Sequence, residues 1–239
     1  MNQEHIVKSF DTDLQELRRA IAEMGGIAEK MLDDAIIALG RRDPELAQKV
    51  IRCDDRLDAL QREIEELGIL TIARRQPMAV DLREIVSAIR IAGDLERIGD
   101  LAKNVGKRVL VIASHIQLPR AIVGLQHMAE LVEEQLKDVL DAYTQNDLPA
   151  ALEVWKRDDG IDALYTSLFR ELLTYMMEDP RNITSCTHLL FCAKNIERIG
   201  DHTTNIAETI HYWVTGKQLT AERPKGDNTN VSIAVDQDD

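Results

Sequence analysis

The chain has 239 residues, 44% of them hydrophobic but only 4% aromatic, and a formal net charge of −13. So acidic a chain disfavours binding to nucleic-acid phosphates or to an anionic membrane face, and an aliphatic core with few aromatics favours helices over sheets. No apolar run approaches the roughly 20 residues that cross a bilayer, Met1 to Leu14 shows no apolar leader pattern, and the three cysteines, Cys53, Cys186 and Cys192, form no C-x-x-C pair, so a reduced, cytoplasmic protein with no direct membrane insertion is expected.

Six helices are predicted. The first, 6–41, repeats apolar residues at Leu14, Leu17, Ile21, Met24, Ala28, Met31 and Ala35 in alternating steps of three and four. Gly25-Gly26 inside it reads as a kink or packing point rather than a phosphate cradle. Asp43-Pro44 looks like an N-cap followed by an N1 proline. It introduces the second helix, 45–75, with a seam at Leu46, Val50, Cys53, Leu57, Leu60, Ile64 and Leu67. The third helix, 79–114, is apolar on more than one side through Ile85, Val86, Ile89, Ile91, Leu95 and Ile98, so it should be the most buried of its set. Helices at 120–146, 149–178 and 181–215 follow, near Pro119, Pro149 and Pro180, with Asp179-Pro180 again resembling a cap. No period-two alternation is long enough for a strand. From Gly216 the pattern stops, and 217–239 is expected to be a polar, disordered tail.

The second three helices repeat the first. Glu96-Arg97-Ile98-Gly99-Asp100 and Glu197-Arg198-Ile199-Gly200-Asp201 both begin the pattern E-R-I-G-D-x-x-x-N, at an offset of 101. Upstream, Asp54-Asp55-Arg56-Leu57-Asp58 matches Asp158-Asp159-Gly160-Ile161-Asp162 at an offset of 104. The expected fold is therefore all-α: two tandem antiparallel three-helix bundles related by internal duplication, 1–116 and 117–216.

The shared residues are mostly acidic. Asp54/Asp58, Glu96/Asp100, Asp158/Asp162 and Glu197/Asp201 are four i,i+4 carboxylate pairs, each on one helix face. Like charges at that spacing repel by a few tenths of a kcal/mol, a cost that a multivalent cation removes. Glu96 shares an apolar stripe with Ile85, Ile89 and Ala92, as Glu197 does with Cys186, Leu190 and Ala193, and a carboxylate on such a stripe needs a partner or a metal. A neighbouring helix could bring Asp54 and Asp58 beside Glu96 and Asp100. All-oxygen donors suit magnesium, manganese or carboxylate-bound iron, with Asn104 and Asn205 as further oxygen donors. The other reading is a structural ion-pair network, using Arg56, Arg97 or Arg198. Gly99 and Gly200 imply close helix contact, clearance for metal, or both.

Other chemistry finds little support. A ferritin-like di-iron oxidase needs E-x-x-H on two helices, whereas Glu208 to His211 is matched in the first half by Lys107 to Leu110. No P-loop, nucleophile elbow or zincin motif occurs. Trp155, Tyr165, Tyr175, Tyr212 and Trp213 are too dispersed to stack bases and are expected in the core or an interface.

On the E-R-I-G-D segments and their companion D-x-x-x-D pairs, the sequence over about residues 5–216 resembles the PhoU family of phosphate-signalling proteins. That resemblance implies two three-helix bundles and metal clusters at Asp54, Asp58, Glu96, Asp100, Asp158, Asp162, Glu197 and Asp201, with Asp55 and Asp159 adjacent. The metal it implies is a divalent or trivalent ion: iron, manganese, magnesium or zinc. It implies a homodimer without enzymatic activity. Such a protein would link the ATPase subunit of a phosphate ABC importer to a sensor histidine kinase, restraining phosphate uptake and the phosphate-starvation response. A carboxylate-bridged oxidase and a purely structural helical interaction protein are the alternatives.

Overall fold

In a computed structural model, residues 2–113 and 118–219 are described, with side chains except at 2–9, 158 and 159. The expected tail, 220–239, lies outside them. Every regular element among the described residues is helical: α1 (Asn2–Arg41), α2 (Pro44–Arg75), α3 (Ala79–Ile112), α4 (Pro119–Gln145), α5 (Leu148–Lys156), α6 (Asp158–Glu178) and α7 (Ile183–Thr215), with a 3₁₀ turn at Pro180–Asn182.

Local chemistry sets the helix ends. The Asp43 carboxylate accepts from the Glu45 and Leu46 amides at 2.9 and 3.0 Å, and Pro44 opens α2. Asp147 caps α5 through the Ala150 amide at 3.1 Å. Asp179 accepts from the Arg181 amide at 3.0 Å, but the turn it caps is 3₁₀ before α7 begins.

The predicted helix over 149–178 is in fact two, α5 and α6, with Arg157 between them out of helical conformation. Two features of the second half account for this. Gly160 stands where the first half has Arg56, and glycine resists helix by about 1 kcal/mol. The Arg157 carbonyl meanwhile accepts from the Gln135 side chain at 3.1 Å. That carbonyl also accepts from the Gly160 amide at 3.4 Å, a three-residue turn that opens α6, and α2 has no comparable interruption.

α1, α2 and α3 form one bundle, and α4, α5–α6 and α7 the other. The predicted stripe of α1 is buried throughout, from Leu14 to Ala35, and Val50, Leu57, Leu60 and Ile64 of α2 close on it. The bundles join chiefly where α3 lies antiparallel against α7, so α3 contacts α1, α2 and α7. Arg83 Nε donates to the Trp213 carbonyl at one end of that junction. Arg108 stacks over Phe191 at the other, 4.4 Å from the ring centroid. Midway, Asp94 receives His202 Nδ1 at 2.9 Å and the Asn205 amide nitrogen at 3.4 Å. A further knot joins α1 to the second bundle, where Arg18 lies over Trp213 and Trp213 packs against Tyr143.

Candidate functional site

The glycine of each E-R-I-G-D segment allows α2 or α6 to come close. A Cβ on Gly99 would lie 2.2 Å from Leu57 Cδ2, and one on Gly200 would lie 3.0 Å from Ile161 Cδ1. Close helix contact is thus what these glycines provide. That contact carries the D-x-x-x-D face of one helix alongside the E-x-x-x-D face of the next.

In the first bundle, Asp54 is buried, Glu96 and Asp58 are half-buried and Asp100 is partly open. Burial is the largest influence on Glu96 and pushes its carboxyl above the ordinary range; Asp100, Asp58 and Asp54 push it further, against Arg97. The four acids therefore share one electrostatic neighbourhood. Among the described residues, however, no three His, Cys, Asp or Glu side chains converge closely enough to hold a metal ion.

What does sit between α2 and α3 is Lys103. Its ammonium donates to Asp54 of α2 and to Asp100 of α3, the latter at 2.5 Å, with the lysine side chain only 18% exposed. Burial pulls the Lys103 pKa down, but its bonds to Asp100 and Asp54 outweigh this and the net shift is upward. Asp54 also shifts up, because burial and the neighbouring Asp58 and Asp100 outweigh Lys103. Sequence reasoning weighed arginines as partners for Asp54 and passed over this lysine, although its place three residues beyond Asp100 on a helix was the signal. The arginines go elsewhere. Arg97 reaches Glu96 and Asp100 at 3.4 Å from an exposed position, and Arg56 pairs with Glu23 at 2.7 Å.

The second bundle is built differently. Glu197 is 5% exposed, and Asp162 is also buried. Lys194, at the periphery and 42% exposed, donates to Glu197 Oε1 at 2.7 Å. The other oxygen, Oε2, is buried without a hydrogen-bond partner. Burial raises the Glu197 pKa first and foremost, with Asp201 and Asp162 adding to it against Lys194. Asp158 is the first residue of α6, and its side chain, like that of Asp159, lies outside the described set. At the position equivalent to Lys103 stands Thr204, fully buried, its hydroxyl donating to the Gly200 carbonyl at 3.1 Å.

The remaining candidates resolve as packing. Asn205 turns its amide nitrogen to Asp94 in the junction. Glu208, of the lone E-x-x-H match, accepts from Trp155 Nε1 at 3.0 Å, and His211 faces the Lys217 carbonyl. All three cysteines are free thiols; Cys192 is buried, which pushes its pKa up to about 12. A Cβ on Gly25 would meet Leu140 at 2.7 Å, so this glycine admits α4. A second acidic group, not foreseen, lines a cleft of about 340 Å³ between α1 and α4, where Glu29, Asp33 and Glu133 gather with Lys30 and Lys137. Burial first, then Asp33, Glu130 and Glu29, push the Glu133 pKa up to about 7.

The model of the PhoU domain matches the chain twice, at residues 21–109 and 125–210. This chain belongs to the PhoU family. Both matches enclose the paired-carboxylate segments, so each bundle is one PhoU domain core. The chain is 60% identical to a phosphate-specific transport system accessory protein PhoU homolog of Rhizobium meliloti over 98% of its own length and 99% of that protein's. It is 54% identical to the homolog of the same description in Caulobacter vibrioides, over 94% and 97%. Its fold matches the crystal structure of PhoU from Pseudomonas aeruginosa with a TM-score of 0.84 at 40% identity, covering 87% of this chain and all (100%) of that one. The phosphate transport system regulatory protein PhoU from Streptococcus pneumoniae matches with a TM-score of 0.81 at 29% identity, over 89% and 100%.

For the metal that the family resemblance implies, the two halves differ in fit. In the first PhoU bundle a lysine ammonium already stands between the acids. In the second, Lys194 holds Glu197 Oε1 and leaves Oε2 buried without a hydrogen-bond partner.

Proposed function

We propose that this chain is a cytoplasmic, non-enzymatic adaptor that restrains phosphate uptake and keeps the phosphate-starvation response off when phosphate is plentiful. It does so by contacting the ATPase subunit of the phosphate ABC importer and a sensor histidine kinase, as a homodimer with metal at its carboxylate faces. The observation that carries this reading is the full-length match, at 60% identity, to a protein described as an accessory of the phosphate-specific transport system. The absence, among the described residues, of any helix long and apolar enough to span a membrane fits a protein that reaches the importer from the aqueous side.

Within this reading the bundles are a rigid scaffold, and their chemistry is binding rather than turnover. Glu197, Asp162 and Asp201 would hold the cation in the second bundle. Bound there, a multivalent ion supplies charge neutralisation that lets three acids lie together on a buried face. The chain's own part is to present those acids from two helices held together at Gly200 and Ile161. It also joins that face to the other bundle through His202, which follows Asp201 and binds Asp94.

The test is a strain lacking this chain and carrying a phosphate-starvation reporter. The reporter is expected on in phosphate-rich medium and off again when the wild-type chain is restored. A folded Glu197→Gln/Asp201→Asn chain is expected to restore repression poorly. Purified chain should also be retained by the importer's ATPase subunit. A null strain whose reporter still responds normally to phosphate would overturn the proposal.

A further inference from the structure

The two bundles also meet along α1 and α4, and the chemistry of that seam is uneven. A Cβ on Gly25 would lie 2.7 Å from Leu140 Cδ1, and one on Gly40 would lie 2.5 Å from the Gln126 side chain. The helices therefore run antiparallel and press together at both points. Between those points lies the cleft of about 340 Å³, walled among the described residues by α1 and α4 alone. The register set by the two glycines puts position 29 opposite 137 and position 33 opposite 133.

The duplication sharpens what this means. At the offset of 104, Glu29 corresponds to Glu133 and Asp33 to Lys137. The two crossings are equivalent by descent, yet one sets a glutamate against a lysine and the other a glutamate against an aspartate. Lys137 draws the Glu29 carboxyl down, against burial and Asp141. Glu133 has no such help. Asp33, Glu130 and Glu29 face it, and among the described residues no basic side chain pairs with it. Lys30, the other lysine of the cleft, is 61% exposed and donates to Asp34 at 3.1 Å. Two carboxylates opposite each other in a partly buried cleft repel unless they share one proton. Glu133 is the acid that keeps it: burial first, and then Asp33, raise its carboxyl to about 7.

We propose that the Asp33–Glu133 crossing is a proton-operated clasp between the two PhoU bundles. With the proton in place, the Glu133 carboxyl donates to the Asp33 carboxylate and holds α1 against α4. When the proton leaves to solvent, both acids are charged and the middle of the seam takes in water. α1 and α4 then part, while α3 and α7 keep the bundles joined.

Full-length chain carries spin labels at Ala22→Cys and Gln145→Cys, two exposed positions at one end of the seam. A Cys53→Ser background leaves only the buried Cys186 and Cys192 as native thiols. Labelled chain is diluted into unlabelled chain, so that pulsed electron paramagnetic resonance reads distances within one molecule between pH 5 and 8. The closed distance should dominate at the acid end and give way to a longer one, the two equally populated near pH 7. Glu133→Gln, which keeps a donor and cannot ionise, should hold the closed distance at every pH. Asp33→Lys, which gives the second crossing the lysine of the first, should do the same. Helicity, followed by circular dichroism, should stay constant throughout.

A wild-type distance that does not change between pH 5 and 8 would overturn the inference. So would a change that persists in either variant, or one accompanied by loss of helicity.

Discussion

Single residues in this protein differ sharply in what surrounds them, and two pairs of outcomes follow. Gly99 and Gly26 are both helix-interior glycines, but a Cβ on Gly99 would meet the buried Leu57 at 2.2 Å, whereas one on Gly26 would meet nothing within 4 Å. Gly99→Ala should destabilise the protein by about 1–2 kcal/mol, overpacking outweighing the helix-propensity gain. Gly26→Ala should stabilise it by about 0.5–1 kcal/mol. Urea denaturation of both variants measures the contrast.

The Glu133 carboxyl, raised to about 7 by burial beside Asp33, Glu130 and Glu29, makes a pH prediction. A group whose pKa is higher folded than unfolded stabilises the fold below its unfolded value, and that stability is lost as pH rises through the folded one. Here the window runs from the ordinary glutamate value up to about pH 7. Glu133→Gln should flatten the fall in thermal midpoint between pH 5 and 8. At pH 8 the variant should exceed wild type by roughly 1–2 kcal/mol, after discounting for the partial exposure of the group.

Elements were legible in proportion to their periodicity. The stripes of α1 and α2 could be read directly, because a helix that buries one face must repeat its apolar residues every three or four positions. Asp43-Pro44 likewise declared the start of α2, since the cap acts on amides only two and three residues away. The break between α5 and α6 was not legible. At the break Gln135, 22 residues upstream of Arg157, donates to the Arg157 carbonyl across the bundle, and apolar spacing carries no trace of such a bond. Gly160 was the local half of the signal. It is exposed, and a Cβ there would meet nothing within 4 Å, so Gly160→Ala should raise stability by about 0.5–1 kcal/mol. Thermal unfolding followed by far-UV circular dichroism tests this.

At the scale of the molecule, the eight predicted acids announced themselves by repetition, but repetition conceals whatever the halves do not share. Lys103 went unremarked for that reason, standing inside the repeated segment at a position where the copies differ. The junction of the bundles was hidden too, since Asp94, His202 and Asn205 meet across more than a hundred residues. Asp94→Ala would leave His202 and Asn205 without this acceptor in the junction. It should cost about 1–3 kcal/mol and speed amide hydrogen exchange along the facing sides of α3 and α7 while each bundle stays helical. Unchanged exchange there would mean that the apolar contacts alone hold the two together.

One consequence of the Lys103 bridge concerns supply. Dissolved ions can be chelated, diluted or withheld by a starving cell, and a site that depends on them reports on the surroundings whether or not that is useful. An ammonium carried on the chain arrives with every molecule synthesised and leaves only with mutation. The half of the protein that owns one therefore carries part of the charge balance between α2 and α3 on its own chain.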